Sequence, residues 1–226
     1  MIRKGLGSTL AILVLIAGTL SWTSCGSSSN KVRFAHALAT GIGAIDILID
    51  NRVVVTNLAY GAGGNYVGVS TGSHTVEVRP TGNTSAGSDV YNNPLTFQSG
   101  SQTAVLDFSG GPNIDLYTDQ TTAPTSGTAI LRVIHVSNYL GLADIYAVPP
   151  GSAITNVSPQ QANLQFQKAA SINLSSGNYE VFVTQGGTKF VQIQTGTSLP
   201  ALNSQQIKTM ILYDNSPFYF VLNDLN

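Results

Sequence analysis

Charge is scarce in this chain of 226 residues: Asp, Glu, Lys and Arg together make up 9 % of it, against about a quarter in ordinary soluble domains. Ten basic residues stand against eleven acidic ones, a net charge of −1. No basic patch can be assembled from that supply, which excludes a nucleic-acid partner. Cys25 is the single cysteine, so no disulfide can form within the chain, and an immunoglobulin-type bridge between sheets is ruled out. Three histidines leave little material for imidazole catalysis or metal binding. No serine sits in a G-x-S-x-G elbow, and neither H-E-x-x-H nor the D-x-[DN]-x-[DN]-G calcium run occurs. Apolar runs stop short of the roughly 20 residues that a spanning helix needs. No segment longer than a few residues carries a 3.6-residue apolar period.

What is present begins at the N-terminus. Arg3 and Lys4 precede an apolar stretch from Leu10 to Leu20. Small polar residues then lead through Trp22-Thr23-Ser24 to Cys25. A positive start, a short apolar core and small residues before a cut describe an export signal. Ending on a cysteine, it resembles a bacterial lipoprotein signal, although such signals usually carry an aliphatic residue where Trp22 stands. Residues 1–24 are therefore expected to be removed, with lipid carried on Cys25. A lone thiol in an exported protein oxidises or mispairs, and thioether modification removes it. Two or more acyl chains, at about 0.8 kcal/mol per buried methylene, hold a protein on a bilayer. The partner implied is thus the membrane, through Cys25. Gly26 after the cysteine resembles the outer-membrane sorting pattern of hosts with two membranes. Residues 26–30, Gly-Ser-Ser-Ser-Asn, extend at most about 17 Å and would hold the folded part near the lipid.

The remainder repeats itself. Val32-Arg33-Phe34-Ala35-His36 returns as Leu131-Arg132-Val133-Ile134-His135, and Ala44-Ile45-Asp46-Ile47 as Ala143-Asp144-Ile145-Tyr146. Asn57-Leu58-Ala59-Tyr60 returns as Asn163-Leu164-Gln165-Phe166, and residues 72–78 as 177–183. Landmarks in the same order divide the chain into a tether (25–31), a first module (32–119), a polar linker (120–127) and a second module (128–226). Within each module the pattern is strand. Val76 and Val78 alternate with Thr75, Glu77 and Arg79, the period of a half-buried sheet. Asp50-Asn51, Thr71-Gly72, Ser176-Gly177 and Gly186-Gly187 supply turns. One short helical turn is expected within 150–163. The fold class expected is all-β: two tandem β-sandwiches, immunoglobulin-like or transthyretin-like, of about seven strands each, held by apolar packing alone.

The R-x-x-H start (Arg33 to His36, Arg132 to His135), the A-x-D or A-D-I strand, the N-L-x-[FY] turn and the G-x-[YH]-x-V-x-V strand together resemble the exported bacterial family called domain of unknown function 4397. The resemblance covers nearly all of the chain after the signal, as two copies. It implies β-sandwich modules at the cell surface and supplies no catalytic residues.

His36 and His135, with Asp46 and Asp144, form a set that zinc could use. Strand period argues against this: His36 shares a face with Val32 and Phe34, and His135 with Leu131 and Val133. Both imidazoles are expected inside the sandwich, neutral and bonded to a carbonyl or carboxylate. Arg33 and Arg132 fall on the opposite face, to pair with carboxylates. His74, aligned with Tyr179, reads as a half-buried shape filler. Asp46, Asp50, Asp115 and Asp119 are too few and too scattered for calcium; Asp50-Asn51 and Asp214-Asn215 read as turns. Gly61-Ala62-Gly63-Gly64 lacks the features of a phosphate loop and reads as a flexible loop. Glu77 and Glu180 read as equivalent outward positions, surface residues more readily than an acid–base pair.

No cofactor and no metal are expected. The sequence points to a non-enzymatic envelope lipoprotein with a structural or interaction role. The alternative is a surface module binding carbohydrate or peptide, with Tyr60, Tyr66, Tyr91, Tyr139, Tyr213 and Tyr219 available as platforms. The partner beyond the membrane would be an envelope protein or a glycan. Replacing Cys25 with Ala is expected to release the protein from the membrane pellet into the soluble fraction on ultracentrifugation; continued pelleting would refute the anchor.

Overall fold

The computed structural model describes residues 30–85, 87–215 and 218–224. The export signal, Cys25 and residues 26–29 of the tether lie outside the described residues. Among the described residues every regular element is a strand. In place of the single helical turn expected within 150–163 there are two separate hydrogen-bonded turns, Ser152 N–H to Pro149 O and Val157 N–H to Ile154 O.

The first half holds β1 (Lys31–His36), β2 (Ile45–Ile49), β3 (Arg52–Leu58), β4 (Ala62–Gly63), β5 (Val67–Gly68), β6 (Gly72–Pro80), β7 (Tyr91–Phe97), β8 (Ser101–Phe108) and β9 (Pro112–Thr118). The second holds β10 (Thr128–His135), β11 (Ala143–Val148), β12 (Gln161–Leu164), β13 (Lys168–Ser175), β14 (Glu180–Gln185), β15 (Val191–Gln194), β16 (Ile207–Leu212) and β17 (Tyr219–Asn223). They form four sheets. In the first half, β4-β1-β8-β9, with β5 also on β1, faces β3-β2-β6-β7. In the second, β13-β10-β16-β17 faces β12-β11-β14-β15. The two halves share one strand order. In each, only the first and penultimate long strands run parallel, β1 with β8 and β10 with β16. Where the first half breaks its edge into β4 and β5, the second has the unbroken β13. Pro94, which cannot donate to a ladder, sits on the edge strand β7, where such a residue is tolerated.

Alternation builds each core. Val32, Phe34, Ile45, Ile47, Val76, Val78, Ala104 and Leu106 interleave between the first pair of sheets. Leu131, Val133, Ile145, Val181, Val183, Met210 and Leu212 do so in the second. At about 25 cal/mol per Å² of apolar area, burial of this kind holds each sandwich closed without a disulfide.

The opposite faces of β1-β8-β9 and β10-β16-β17 are not solvent faces. They meet in a seam where Ala35, Ala37, Val105, Tyr117, Ile134, Val136, Ile211 and Tyr213 are buried together. Two arginines cross it reciprocally. Arg33 of β1 pairs with Asp224 after β17 and donates to the Asn223 carbonyl at 2.7 Å. Arg132 of β10 pairs with Asp119 after β9. Each carboxylate is also bonded by its own sandwich's β-strand threonine, Thr209 to Asp224 and Thr103 to Asp119. The expected pairing of both arginines with carboxylates is met, but across the two halves.

These contacts set the halves the same way up. Asn30, Asp119, residues 120–127 and Asn223 gather at one end. Residues 37–44, 109–111, 136–142, 186–190 and 213–215 gather at the other. Removing one partner of a buried ion pair leaves an uncompensated charge, a loss of about 3–5 kcal/mol. Arg33→Ala is therefore expected to lower unfolding stability by that amount, read from the denaturant midpoint, because it strands the Asp224 carboxylate in the seam.

Candidate functional site

The repeated landmarks are structural pins. His36 and His135 are fully buried. Nε2 of His36 donates to the Gly43 carbonyl at 2.9 Å, and Nε2 of His135 to that of Gly141 at 2.7 Å. Each Nδ1 accepts a backbone N–H, from Leu38 and Ser137. Both nitrogens of each ring are thus engaged in tying the end of a long strand to the loop that follows. Burial holds both imidazoles below their ordinary pKa. Asp46 and Asp144 act alike at the start of β2 and β11. Asp46 accepts the Asn57 and Gly82 N–H groups, and Asp144 those of Asn163 and Gly187. Asn57 and Asn163 both hold a positive φ, 54° and 50°, a conformation asparagine tolerates. Asp50 and Asn51, at φ 49° and 63°, make the tight turn read from the sequence.

Three expectations are corrected. Glu77 and Glu180 are buried, and they are not register equivalents. Glu77 lies opposite Leu48 and Glu180 opposite Val148, so the partner of Glu77 by register is Phe182. Glu77 is neutralised by Arg79; Glu180 accepts from Gly151 N and Gln194. Residues 61–64 are not a flexible loop. Gly61 N–H bonds the His36 carbonyl, β4 pairs with β1, and Gly64 N–H bonds Phe34 O. A Cβ on Gly61 would meet the Tyr213 hydroxyl at 2.7 Å, so the glycine is what lets the second sandwich approach. His74 does more than fill space. Its Nδ1 lies 2.6 Å from Asp50 Oδ2, and its Nε2 lies 3.1 Å from both Oγ and the carbonyl O of Ser70.

Ser70, His74 and Asp50 thus have the spacing of a nucleophile, base and orienting acid, at the rim of a hollow of about 510 Å³ lined by Ile49, Val53 and Val67. The surroundings of Nε2 distinguish the roles. A general base needs a free lone pair aimed at the hydroxyl proton, and here the same nitrogen faces a carbonyl oxygen at equal distance. With oxygens against both nitrogens, the ring clasps the β2–β3 turn to the segment before β6. Asp50, held below the usual carboxylate range by the His74 and Thr75 hydrogen bonds, completes the clasp.

The remaining candidate is a cleft where the loops of both sandwiches meet. It encloses about 370 Å³ between Thr40, Phe108, Asn138, Tyr139, Asp214 and Asn215. A second hollow of about 300 Å³, bounded by Ile42 and Tyr60, shares Ala39 and Asn215 with it. Two aromatic rings stand open at its rim: Tyr139 is 83 % exposed and Phe108 40 %. Among the six tyrosines noted in the sequence, Tyr139 is the exposed one; Tyr91 and Tyr213 are buried, and Tyr60, Tyr66 and Tyr219 half-buried. The floor is fixed. Asp214 accepts from Ser137 Oγ at 2.5 Å and from the Tyr139 N–H at 3.4 Å. Asn138 donates to the Phe108 carbonyl at 2.6 Å, joining the two sandwiches. The cleft was not legible in the sequence, since its residues come from four separate segments of the chain. The one available signal was the Asn-Tyr and Asp-Asn pairs at matching loop ends.

The chain belongs to the family described as domain of unknown function DUF4397, whose model matches residues 30–146. That match is one stretch, running from before β1 across 120–127 into β11. No curated protein matches. Among solved structures the chain is similar to the family CBM26 module CBMbc of Eubacterium rectale Amy13K in complex with maltoheptaose, at 9 % identity, covering 86 % of this chain and 96 % of that one, with a TM-score of 0.30. It is likewise similar to a structure from work on α-glucan recognition by family 41 carbohydrate-binding modules from streptococcal virulence factors, at 9 % identity, 84 % and 96 % coverage and a TM-score of 0.28. At such values the likeness carries no argument about function.

The histidine pins give a pH dependence with a definite sign. Their pKa is lowered on folding, so the unfolded chain takes up protons first, and their contribution is present above pH 6.5 and lost as the pH falls below it. His135→Gln should cost about 1–3 kcal/mol at pH 7.5 by unmaking buried hydrogen bonds. The advantage of the unaltered protein over this variant should narrow between pH 7.5 and 5.5, read from paired denaturation curves.

Proposed function

We propose that this protein is an exported, lipid-anchored envelope protein that binds a neutral carbohydrate in the cleft between Phe108, Asn138, Tyr139 and Asn215. The role is one of binding, not catalysis. The observation that carries the reading is the gathering of two open aromatic rings and two side-chain amides at one rigid junction of the sandwiches. Sugars present C–H faces that lie on aromatic rings and hydroxyls that bond amides. A mostly apolar concavity with a few convergent polar groups is the usual form of a small-ligand site. No lysine or arginine lines the cleft, which disfavours phosphorylated or acidic ligands.

Placement supports the same reading. The cleft lies at the end opposite Asn30. A lipid on Cys25, joined through the short 26–30 tether, would hold the Asn30 end at the bilayer and direct the cleft away from it. The histidines and the aspartates Asp46 and Asp144 are committed to loop geometry, which leaves these side chains with architectural roles.

The full chain is expected to retain one class of neutral glycan on an array. Tyr139→Ala should weaken that binding at least about tenfold, equivalent to about 1.4 kcal/mol, without moving the melting temperature. Silence across the array, or equal binding by the variant, would refute the reading.

A further inference from the structure

The seam has two flanks, and they have diverged in chemistry. On one stand Tyr213, just after β16, and Phe220 of β17, with Tyr60 stacked edge-on against Tyr213, centroids 5.2 Å apart. On the other, the same register positions hold Asp107 and Asp115. Leu106 lies opposite His36 as Leu212 lies opposite His135, so Asp107 falls where Tyr213 does. Val105 faces Asp115 as Ile211 faces Phe220. Two acids therefore stand diagonally on adjacent strands, closed in by the second sandwich. Asp107 is fully buried, and neither of its carboxyl oxygens has a hydrogen-bond partner; Asp115 Oδ2 and the Tyr117 hydroxyl are likewise buried and unpartnered. Asn113 donates to Asp115 Oδ1 at 3.0 Å.

We propose that Asp107 and Asp115 form a proton-dependent latch between the two sandwiches, closed while the pair holds one proton and loosened when both carboxyls are ionised. Two like charges enclosed together cannot both ionise without cost. A shared proton gives the unpartnered oxygens a donor. The charged and titratable groups facing the pair are Tyr91 on β7, Tyr117 on β9, Arg132 on β10 and Lys168 on β13. Arg132 is paired with Asp119 through Nη1, while its Nη2 is buried without a hydrogen-bond partner, and Lys168, at the start of β13, is exposed. Neither hydrogen-bonds the unpartnered oxygens of the pair. Gln167, at φ 59°, aims its amide towards the two acids from the second sandwich.

Burial beside Asp115 pushes Asp107 up to about 7. A carboxyl raised on folding stabilises the closed form fully below its unfolded pKa near 4, and that contribution is lost as the pH rises through about 7. The direction is opposite to that of the buried histidines, so the latch has a signature of its own. Asp107 also precedes Phe108, whose carbonyl is held by Asn138 of the second sandwich, so loosening would begin beside the cleft rim. The proposal does not depend on any ligand there.

The test is the side-chain carboxyl titration of the full chain by carbon-13 NMR, with amide hydrogen exchange at pH 5.5 and 8.5 corrected for intrinsic rates. Asp107 is expected to titrate with a midpoint near 7. Protection in β8, β9 and residues 166–168 should fall by about tenfold at the higher pH, while the Tyr60–Tyr213 flank keeps its protection. Asp107→Asn should hold protection equal at both pH values; should that variant not fold, the titration and exchange of the unaltered protein still decide. An Asp107 midpoint below pH 5, or unchanged protection across the range, would overturn the latch. So would recovery of protection at pH 8.5 on adding millimolar calcium, which would make the pair a cation site.

Discussion

Two guanidinium groups enclosed between two β-sandwiches set the terms for the rest of this molecule. Arg33 and Arg132 are almost wholly buried, at 2 % and 3 % exposure. A charge in that position is tolerable only with its counter-charge and hydrogen bonds in place. The counter-charges are supplied by the opposite half, each from the residue that follows the last strand of a sandwich. Neither sandwich can thus satisfy its own arginine. The first half needs the chain to run to Asp224, and the second needs Asp119. Separation would bring both carboxylates, both guanidiniums and the apolar seam into water together. The reciprocal arrangement makes two cores behave as one body, and it fixes their relative height, which places Phe108 beside Asn138 at the loop end.

Much of the architecture follows from short-range pattern. Period-two alternation marks the strands because a half-buried sheet admits nothing else, and the recurrence of the R-x-x-H start reflects one structural demand met twice. That demand is visible at atomic level. An arginine points out to the seam and, three residues on, a histidine points in to hold the following loop by a glycine carbonyl. The inward direction of His36 and His135 was legible because their neighbours Val32, Phe34, Leu131 and Val133 declare the face. What lay beyond the pattern was the second face. Thr103, Val105 and Asp107 alternate with the core residues Ala104 and Leu106, and nothing local says that another sandwich covers them. Glu77 and Glu180 mislead for the same reason. A carboxylate signals exposure in a sequence, yet Arg79 and Gln194 make burial affordable once the sheet edges are folded over them. The glycines at 61–64 suggested freedom, whereas close approach of Tyr213 to Gly61 and of Leu222 to Gly63 demands the lack of a side chain at those two positions.

The scarcity of charge takes on a meaning in this light. Arg33, Arg132, Glu77, Asp107, Asp119, Asp144, Glu180, Lys208 and Asp214 are all buried. A large share of the few charged groups among the described residues thus lies inside, where each has large consequences, and the outer surface carries mainly hydroxyls, amides and glycine with a few scattered charges such as Lys31, Arg52 and Lys189. Such a surface has little long-range field, so a partner is recognised by contact and shape more than by electrostatic steering. A cleft with open aromatic rings and amides, and without lysine or arginine, is the form of site that this composition can build.

The two flanks of the seam show how one scaffold divides its tasks. On the aromatic flank, Tyr60 donates to the Asp214 carbonyl and rings pack edge to face, an arrangement indifferent to pH until phenols ionise. Burial moves that threshold upward, to about 12 for Tyr60. On the acidic flank the same positions carry two carboxyls, and both oxygens of Asp107 and Oδ2 of Asp115 are buried without a hydrogen-bond partner. Replacing aromatic volume by two acids forfeits apolar contact, and it gains nothing for stability at neutral pH. A pair that weakens the joint in one protonation state and closes it in another is therefore better understood as an adjustable element than as a packing solution. The fixed flank preserves the relation between the sandwiches while the other yields. Any movement that results is a hinge about the Tyr60–Tyr213 side, opening beside Phe108 and away from the Arg33–Asp224 pair that holds the far end together.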